Sequence, residues 1–197
     1  MRLSQDVKAA FEAFRQQCIW FQTCLDTFQH LYDCGPEVTN VLGKSAIHFF
    51  TDLNFILQEY TLLLAAKLSD PAQTGKRTNL TMEHLHEVMA AAGIPLSVEA
   101  KRHADAIYKL RDVIKLSRNR YIAHLNKDTV LNNTVLSGHT PQEMYDFIRA
   151  LQAYCDEIGR AVGAGAQVLS PHGAQGDVVT LIKILENAVD PPPQEYR

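Results

Sequence analysis

The sequence predicts an all-α protein, an up-and-down bundle of four or five main helices, and three observations carry this prediction. Apolar residues recur at the helical spacings of three and four along most of the chain. No segment alternates with a period of two over the length of a strand. Proline and glycine separate the periodic stretches, at the places where helices are expected to end.

The first two predicted helices are long. One runs from about Ser4, which is suited to cap its first turn, to about Asp33, where Cys-Gly-Pro follows. The second runs from about Pro36 to Leu68 and ends before Pro71. Its apolar stripe is expected to face the core and consists of Leu53, Ile56, Leu57, Tyr60, Leu63 and Leu64.

Two loops and two further helices follow. A polar loop is expected over 72–79, and then a short helix from about 81 to 92 that begins at Thr81. A helix that opens at Ser97 is expected to reach about Asn126. The Asn, Thr and Ser residues of 127–138 are typical of a loop.

The last two helices have clear N-terminal signals. Thr140 followed by Pro-Gln-Glu provides a cap, a proline at the first helical position and an acid in the first turn. This helix is expected to reach about Gly163. Asp177 is suited to cap a final short helix that ends near Val189.

Length and composition are ordinary for a globular protein. The chain has 197 residues, of which 46% are hydrophobic and 21% charged. These values exclude a disordered or collagen-like chain and leave enough length for a sizeable core. We expect a single helical domain over residues 1–190 and a flexible proline-rich tail over 191–197.

The chain has no feature of a secreted, membrane or metal protein. Its N-terminal region lacks the apolar run of a signal peptide, and no stretch approaches the ~20 apolar residues of a membrane span. A cytoplasmic protein without membrane contact is therefore expected. The four cysteines lack the spacing of a zinc site, so we expect reduced thiols, no metal and no cofactor.

One basic segment stands out in an acidic chain. The formal net charge is −3, which by itself argues against a nucleic-acid partner. Residues 101–127, however, carry eight Lys and Arg side chains against two Asp, a net charge of +6, so the other 170 residues carry −9. This segment is therefore either a solvated helix face or a site for an anion.

The predicted helix over 97–126 combines an apolar seam with candidate catalytic groups. At 100° per residue the seam is narrow and consists of Ile107, Leu110, Ile114, Tyr121 and Leu125. Arg118 and His124 lie on opposite shoulders of the seam, roughly 120° and ~9 Å of helical rise apart. One straight helix does not bring them together. Two copies packed antiparallel along the 101–126 helix would, so a homodimer is expected.

These residue types suffice for metal-independent cleavage of RNA. Histidine exchanges protons near neutral pH, and a guanidinium holds a phosphate and stabilises the charge of its transition state. An asparagine amide donates to a phosphate oxygen or orients the histidine. Together they allow a ribose 2′-hydroxyl to attack its own phosphodiester and give a 2′,3′-cyclic phosphate. The substrate would then be RNA and not DNA.

Residues 118–124, Arg-Asn-Arg-Tyr-Ile-Ala-His, resemble the R-N-x-x-x-A-H form of the R-x(4–6)-H motif of HEPN-superfamily ribonucleases. The resemblance implies an all-α, HEPN-like dimer with the motifs of both copies in one cleft. It also implies a toxin or an abortive-infection component of phage defence. The catalytic residues would be Arg118, Asn119 and His124, and we expect Lys115, Arg120 and Lys127 to contact substrate.

The resemblance further implies an antitoxin partner, such as a nucleotidyltransferase. Some toxins of the superfamily carry a tyrosine two residues after the histidine, which such a partner modifies. Asn126 occupies that position here, so this modification is not expected.

Other interpretations stay open at the level of sequence. The cleft of a non-catalytic helical module would hold RNA, a nucleotide or a partner protein, and the chain would alternatively be the inert half of a toxin–antitoxin pair. An acid on the second helix is expected to orient the histidine, and Asp52, Glu59 and Asp70 are equal candidates.

Overall fold

A computed structural model describes residues 2–117, 119, 127, 131, 138–169 and 176–189, with the side chains of 2–4, 116 and 117 excepted. The all-α class is confirmed, because helices and one two-stranded hairpin make up the regular structure of these residues. The elements are α1 (Arg2–Tyr32), α2 (Pro36–Ser69), β1 (Gln73–Thr74), β2 (Arg77–Thr78), α3 (Met82–Ala91), α4 (Val98–Ser117), α5 (Pro141–Ala161) and α6 (Val178–Val189).

The first two helices match their predicted ranges closely but not in detail. Helix α1 begins at Arg2, so Ser4 lies inside the helix and the prediction that it caps the first turn is wrong. Between the helices, Gly35 has a φ of +102°, a left-handed conformation that favours glycine. Helix α2 is broken at Ala46, where φ is −157° and ψ is 71°. The prediction of one continuous helix is wrong at this point, which no proline or glycine marks.

The segment predicted as a polar loop contains a small antiparallel hairpin. Gln73 pairs with Thr78 across it, and Gly75 turns the chain at a φ of +61°. The hairpin is anchored at its base, because the Glu83 carboxylate on α3 accepts a hydrogen bond from the Ala72 N–H at 2.7 Å. The hairpin therefore links the end of α2 to the start of α3.

The predicted caps of the later helices are confirmed. The Thr81 hydroxyl accepts from the His84 N–H at the start of α3. Thr140 and Glu143 form a reciprocal capping box at the start of α5. The Asp177 carboxylate accepts from the Thr180 N–H at 3.0 Å at the start of α6.

Contacts divide the chain into two compact units. The first comprises Met1–Phe21 and Leu62–Leu169, and the second comprises Gln22–Thr61 and Ser170–Arg197. The single domain over 1–190 stays a prediction, and the tail over 191–197 lies outside the described residues.

The first unit has an aromatic core in which α4 packs along α5. Two edge-to-face pairs join α1 to α5, with ring centroids 6.1 Å apart for Phe14 and Tyr154 and 5.4 Å apart for Phe21 and Phe147. The apolar residues Ile107, Leu110 and Ile114 of α4 are buried in the same unit.

The second unit has a smaller core of Leu31, Leu42, Phe50 and Ile182. The Tyr32 hydroxyl donates to the Phe50 carbonyl oxygen at 2.7 Å and so ties α1 to α2. The predicted stripe of α2 is wrong at Ile56, which is 59% exposed.

Candidate functional site

The structure describes half of the predicted site. Lys115, Asn119 and Lys127 are all exposed. Lys127 and Leu131 are helical, so the prediction of a loop over 127–138 is wrong at these two positions. Arg118, Arg120 and His124 lie outside the described residues, and their roles stay predictions.

The described residues of the apolar seam on α4 are buried in the core of the same chain. Ile107, Leu110 and Ile114 are all at most 2% exposed, and α5 packs along this helix. A side chain that is already covered within one chain is not available to a second copy. The expectation that these three positions form a dimer seam is therefore wrong, because α5 occupies the place given to a partner helix.

The three candidate acids have different surroundings. Asp52 and Glu59 are exposed residues of α2 in the second unit. Asp70 directly follows α2 and is part-buried in the first unit, where it lines a cavity together with two cations of α4. Among the three, Asp70 is thus the acid that the described structure brings to the basic helix.

This cavity has a volume of about 260 Å³ and lies between the end of α2 and the fourth and fifth turns of α4. Its lining consists of Ala66, Asp70, Pro71, Arg111, Ile114 and Lys115. We call it the α2–α4 cavity. It contains the predicted substrate-binding residue Lys115, which precedes the motif at 118–124 by three residues in the sequence.

Arg111 is a residue of this cavity that the sequence reasoning missed. Its guanidinium stacks on the Tyr108 ring, 4.6 Å from the centroid, and its Nη1 donates to the Ser69 carbonyl oxygen at 3.2 Å. Nε and Nη2 donate to the Asp112 carboxylate at 3.4 and 3.3 Å. The one signal for it in the sequence is the spacing of Arg111, Lys115 and Asn119, four residues apart on one helix face.

The contacts of Arg111 follow from the local chemistry. Carbonyl groups in the last turn of α2 lack helical partners, and Ser69 finds one in the guanidinium. Burial raises the pKa of Tyr108, Glu83 adds to the rise and Arg111 opposes it, so the ring under the guanidinium is a neutral phenol. Asp112 is 66% exposed and contributes little to holding the side chain.

A second cluster of titratable groups lies in the core of the first unit. The Sγ atoms of Cys18 and Cys155 are 3.9 Å apart, and the His86 ring lies 5.7 Å from the Tyr154 ring between centroids. His86 Nε2 and Tyr154 Oη are buried and have no hydrogen-bond partner among the described residues. Burial lowers the pKa of His86, which Glu83 partly opposes.

The described residues show neither a metal cluster nor a membrane-spanning helix. They contain no group of three His, Cys, Asp or Glu side chains arranged to hold a metal ion. Every helix in the described part of the chain is too short or too polar to cross a lipid bilayer.

Comparison with known proteins adds one finding. The family model of AbiU2, a group of HEPN proteins, matches residues 4–181. The match includes elements of both units and the motif at 118–124. No curated protein and no solved structure matches the chain.

Proposed function

Because this chain belongs to the AbiU2 family of the HEPN superfamily, we propose that it is a metal-independent endoribonuclease, a toxin or an abortive-infection component of phage defence. The observation that carries the proposal is the sequence Arg-Asn-x-x-x-Ala-His at 118–124 within the matched residues. The proposed setting is the cytoplasm, and an antitoxin such as a nucleotidyltransferase is a proposed partner.

The proposed reaction uses one base, one cation and one amide. His124 takes the proton from the ribose 2′-hydroxyl, whose oxygen attacks the adjacent phosphorus as the bond to the 5′-oxygen breaks. The leaving 5′-oxygen takes up a proton from water, and His124 then releases its proton to water. The products are a 2′,3′-cyclic phosphate and a 5′-hydroxyl. Arg118 stabilises the charge on the phosphorane-like transition state, and Asn119 donates to a phosphate oxygen or orients the histidine.

We propose that the active form is a homodimer whose motifs share one cleft. On a straight helix Arg118 and His124 lie ~9 Å of rise apart and point in different directions, so each site takes residues from both copies. The side chains of Ile107, Leu110 and Ile114 are buried within one chain and are therefore not available to this contact. The proposed contact therefore lies further along the segment, at residues 118–126.

The first test is cleavage of total RNA and tRNA by the purified dimer, freed of any bound protein, in the presence of EDTA. Wild type is expected to cleave, and Arg118→Ala and His124→Ala are each expected to lose about a hundredfold or more of the rate. Arg102→Ala is the matched control, since it removes an exposed arginine of α4 four turns before the motif.

Two results contradict the proposal at different points. Cleavage that survives both substitutions would show that the site lies elsewhere. An intact wild-type dimer that cleaves neither RNA would leave the second function, a non-catalytic module that binds RNA, a nucleotide or a partner protein in the same cleft. The described observation in favour of that function is the α2–α4 cavity, with Arg111 and Lys115 in its lining.

A further inference from the structure

We propose that the α2–α4 cavity binds a backbone phosphate of the RNA strand, with Arg111 as the hydrogen-bonding donor and Lys115 as the second cation. This inference rests on the proposed ribonuclease function and adds to it a substrate site ahead of the motif. Arg111 is not one of the candidate site residues that the motif indicates.

The first reason is that Arg111 is held in place before any ligand arrives. Its side chain is 32% exposed and is fixed by the Tyr108 ring and by the Ser69 carbonyl oxygen. A guanidinium has five N–H groups, and the described contacts engage one on each of its three nitrogens. One N–H on Nη1 and one on Nη2 therefore stay available, and a phosphate offers two oxygens to such a pair.

The second reason is the neighbouring cation. Lys115 follows Arg111 by four residues, which is about 6 Å of helical rise on the same face of α4. It is exposed, lines the cavity and forms no ion pair with the residues that the structure describes. Its ammonium group thus adds a positive charge to the cavity that is not neutralised by an ion pair within the described residues.

The charge of the lining indicates which phosphate fits. Arg111 and Lys115 face one acid in the lining, Asp70, which already has a contact of its own. The net charge of the lining is therefore +1. A phosphodiester carries a single negative charge, which balances this net charge of +1, and it is the repeating unit of the proposed RNA substrate. The favoured ligand is the backbone of a nucleic acid.

A purely structural role for Arg111 makes a different prediction. If the guanidinium only caps α2 and stacks on Tyr108, its loss changes the stability of the fold and leaves the salt dependence of RNA binding unchanged. If it binds a phosphate, its loss removes the release of counterions at that contact. The slope of the logarithm of RNA affinity against the logarithm of salt concentration therefore separates the two roles.

The experiment measures the binding of a fluorescein-labelled 2′-O-methyl RNA by anisotropy over a range of salt concentrations. This probe resists cleavage because its nucleophilic hydroxyl is blocked. Arg111→Gln is expected to weaken binding about tenfold and to reduce the salt slope by about 0.7, the value for one phosphate of a single strand. Lys115→Gln, which replaces an exposed side chain, is expected to lower the slope with no loss of stability. Lys109→Gln is the matched control, an exposed lysine of α4 outside the cavity.

The outcomes separate this inference from the proposed function. The phosphate site would be overturned if Arg111→Gln and Lys115→Gln both bound RNA with the affinity and salt slope of wild type. It would also be overturned if wild type did not bind the RNA. Competition by ATP or inorganic phosphate as strong as that by unlabelled RNA would overturn its assignment to a phosphodiester. Reduced slopes in a protein that cleaves no RNA would support the site and contradict the ribonuclease. Cleavage that is abolished by His124→Ala, together with wild-type salt slopes in Arg111→Gln and Lys115→Gln, would support the ribonuclease and contradict the phosphate site.

Discussion

At the scale of single residues, Gly159 has less room for a side chain than the other glycines that the structure describes. A Cβ atom there would overlap the carbonyl oxygen of Gly165, whose N–H donates to the Gly159 carbonyl oxygen at 3.0 Å. Gly159→Ala is therefore expected to lower the free energy of unfolding by about 2 kcal/mol, a typical cost of overpacking. Urea unfolding checks this value.

Gly43 in α2 is the matched control for Gly159. It is also helical, but a Cβ atom there meets nothing within 4 Å. Gly43→Ala is expected to raise the free energy of unfolding by up to about 1 kcal/mol, because alanine favours the helix. A Gly159→Ala protein as stable as Gly43→Ala would contradict the close approach of Gly165.

His86 makes the fold sensitive to acid. Burial lowers its pKa below the ordinary value of 6.5, with the Glu83 carboxylate opposing the shift and the Tyr154 ring packed beside it. As the pH falls, His86 is therefore protonated at a higher pH in the unfolded chain than in the folded chain. The stability that the neutral His86 provides is fully present above about pH 6.5 and is lost as the pH falls towards the lower pKa of the folded state. Burial also lowers the pKa of His139, which acts in the same direction.

Urea unfolding at about pH 7.5 and about pH 5.5 tests this role of His86. Wild type is expected to be less stable at the lower pH, and His86→Gln is expected to show a smaller difference, with the remainder owed in part to His139. Equal stability of wild type at both values would contradict the burial of a neutral imidazole.

The four cysteines are expected to differ sharply in reactivity. Cys34 is exposed, whereas Cys18, Cys24 and Cys155 are buried. Burial, and then the contact with Cys155, raises the pKa of the Cys18 thiol and keeps it in its unreactive form. Ellman's reagent is expected to modify Cys34 fast and the other three only on unfolding. Cys34→Ser removes the fast phase, and a fast phase that persists in this variant would contradict the assignment.

At the scale of elements, the capping box of α5 tests a local signal. The Thr140 hydroxyl accepts from the Glu143 N–H, and the Glu143 carboxylate accepts from the Thr140 N–H at 2.7 Å. Thr140→Ala is expected to lower the free energy of unfolding by about 1 kcal/mol, and Thr140→Ser is expected to keep most of it. Equal losses in both variants, measured by urea unfolding, would show that the methyl group and not the hydroxyl matters.

The elements that the sequence predicts best are those with local causes. The starts of α3, α5 and α6 were predictable because Thr81, Thr140 and Asp177 each bond to a backbone N–H three residues on. The break at Ala46 and the exposure of Ile56 were not predictable. The periodicity of apolar residues shows neither where α2 breaks nor which residues of its stripe pack against another helix.

The candidate site likewise has one part that the local sequence predicts and one part that depends on contacts between distant residues. The motif at 118–124 is contiguous and is therefore visible in the sequence. Arg111 was missed because its role depends on Ser69, 42 positions earlier in the chain, which the fold brings within hydrogen-bonding distance. The apolar pattern at Ile107 predicts a covered surface, but it does not show which helix covers that surface, so the prediction of a dimer contact there fails.

At the scale of the whole molecule, charge is concentrated where the proposed substrate binds. The described part of α4 exposes Lys101, Arg102, Lys109 and Lys115, while the chain outside 101–127 carries a net charge of −9. If the chain binds RNA as proposed, this distribution of charge favours binding along the basic segment. The family match over 4–181 extends across both units.

The proposed dimer predicts complementation between inactive variants. If each site takes Arg118 from one copy and His124 from the other, a mixed dimer of Arg118→Ala and His124→Ala chains has one intact site. Random mixing, after dissociation and reassociation, is expected to restore about a quarter of the wild-type cleavage rate. Mixtures that stay as inactive as either variant alone would contradict the shared cleft and leave a site built within one chain.

The most direct test of the central claim is the chemistry of the products. Wild type is incubated in EDTA with an RNA that it cleaves and with the same RNA carrying a 2′-deoxy nucleotide at the cleavage position, and the new ends are identified by mass spectrometry. We expect a 2′,3′-cyclic phosphate and a 5′-hydroxyl from the first RNA and no cleavage at the modified position of the second. Cleavage of the deoxy position, or ends with a 5′-phosphate, would contradict attack by the 2′-hydroxyl and with it the assignment of His124 as the base.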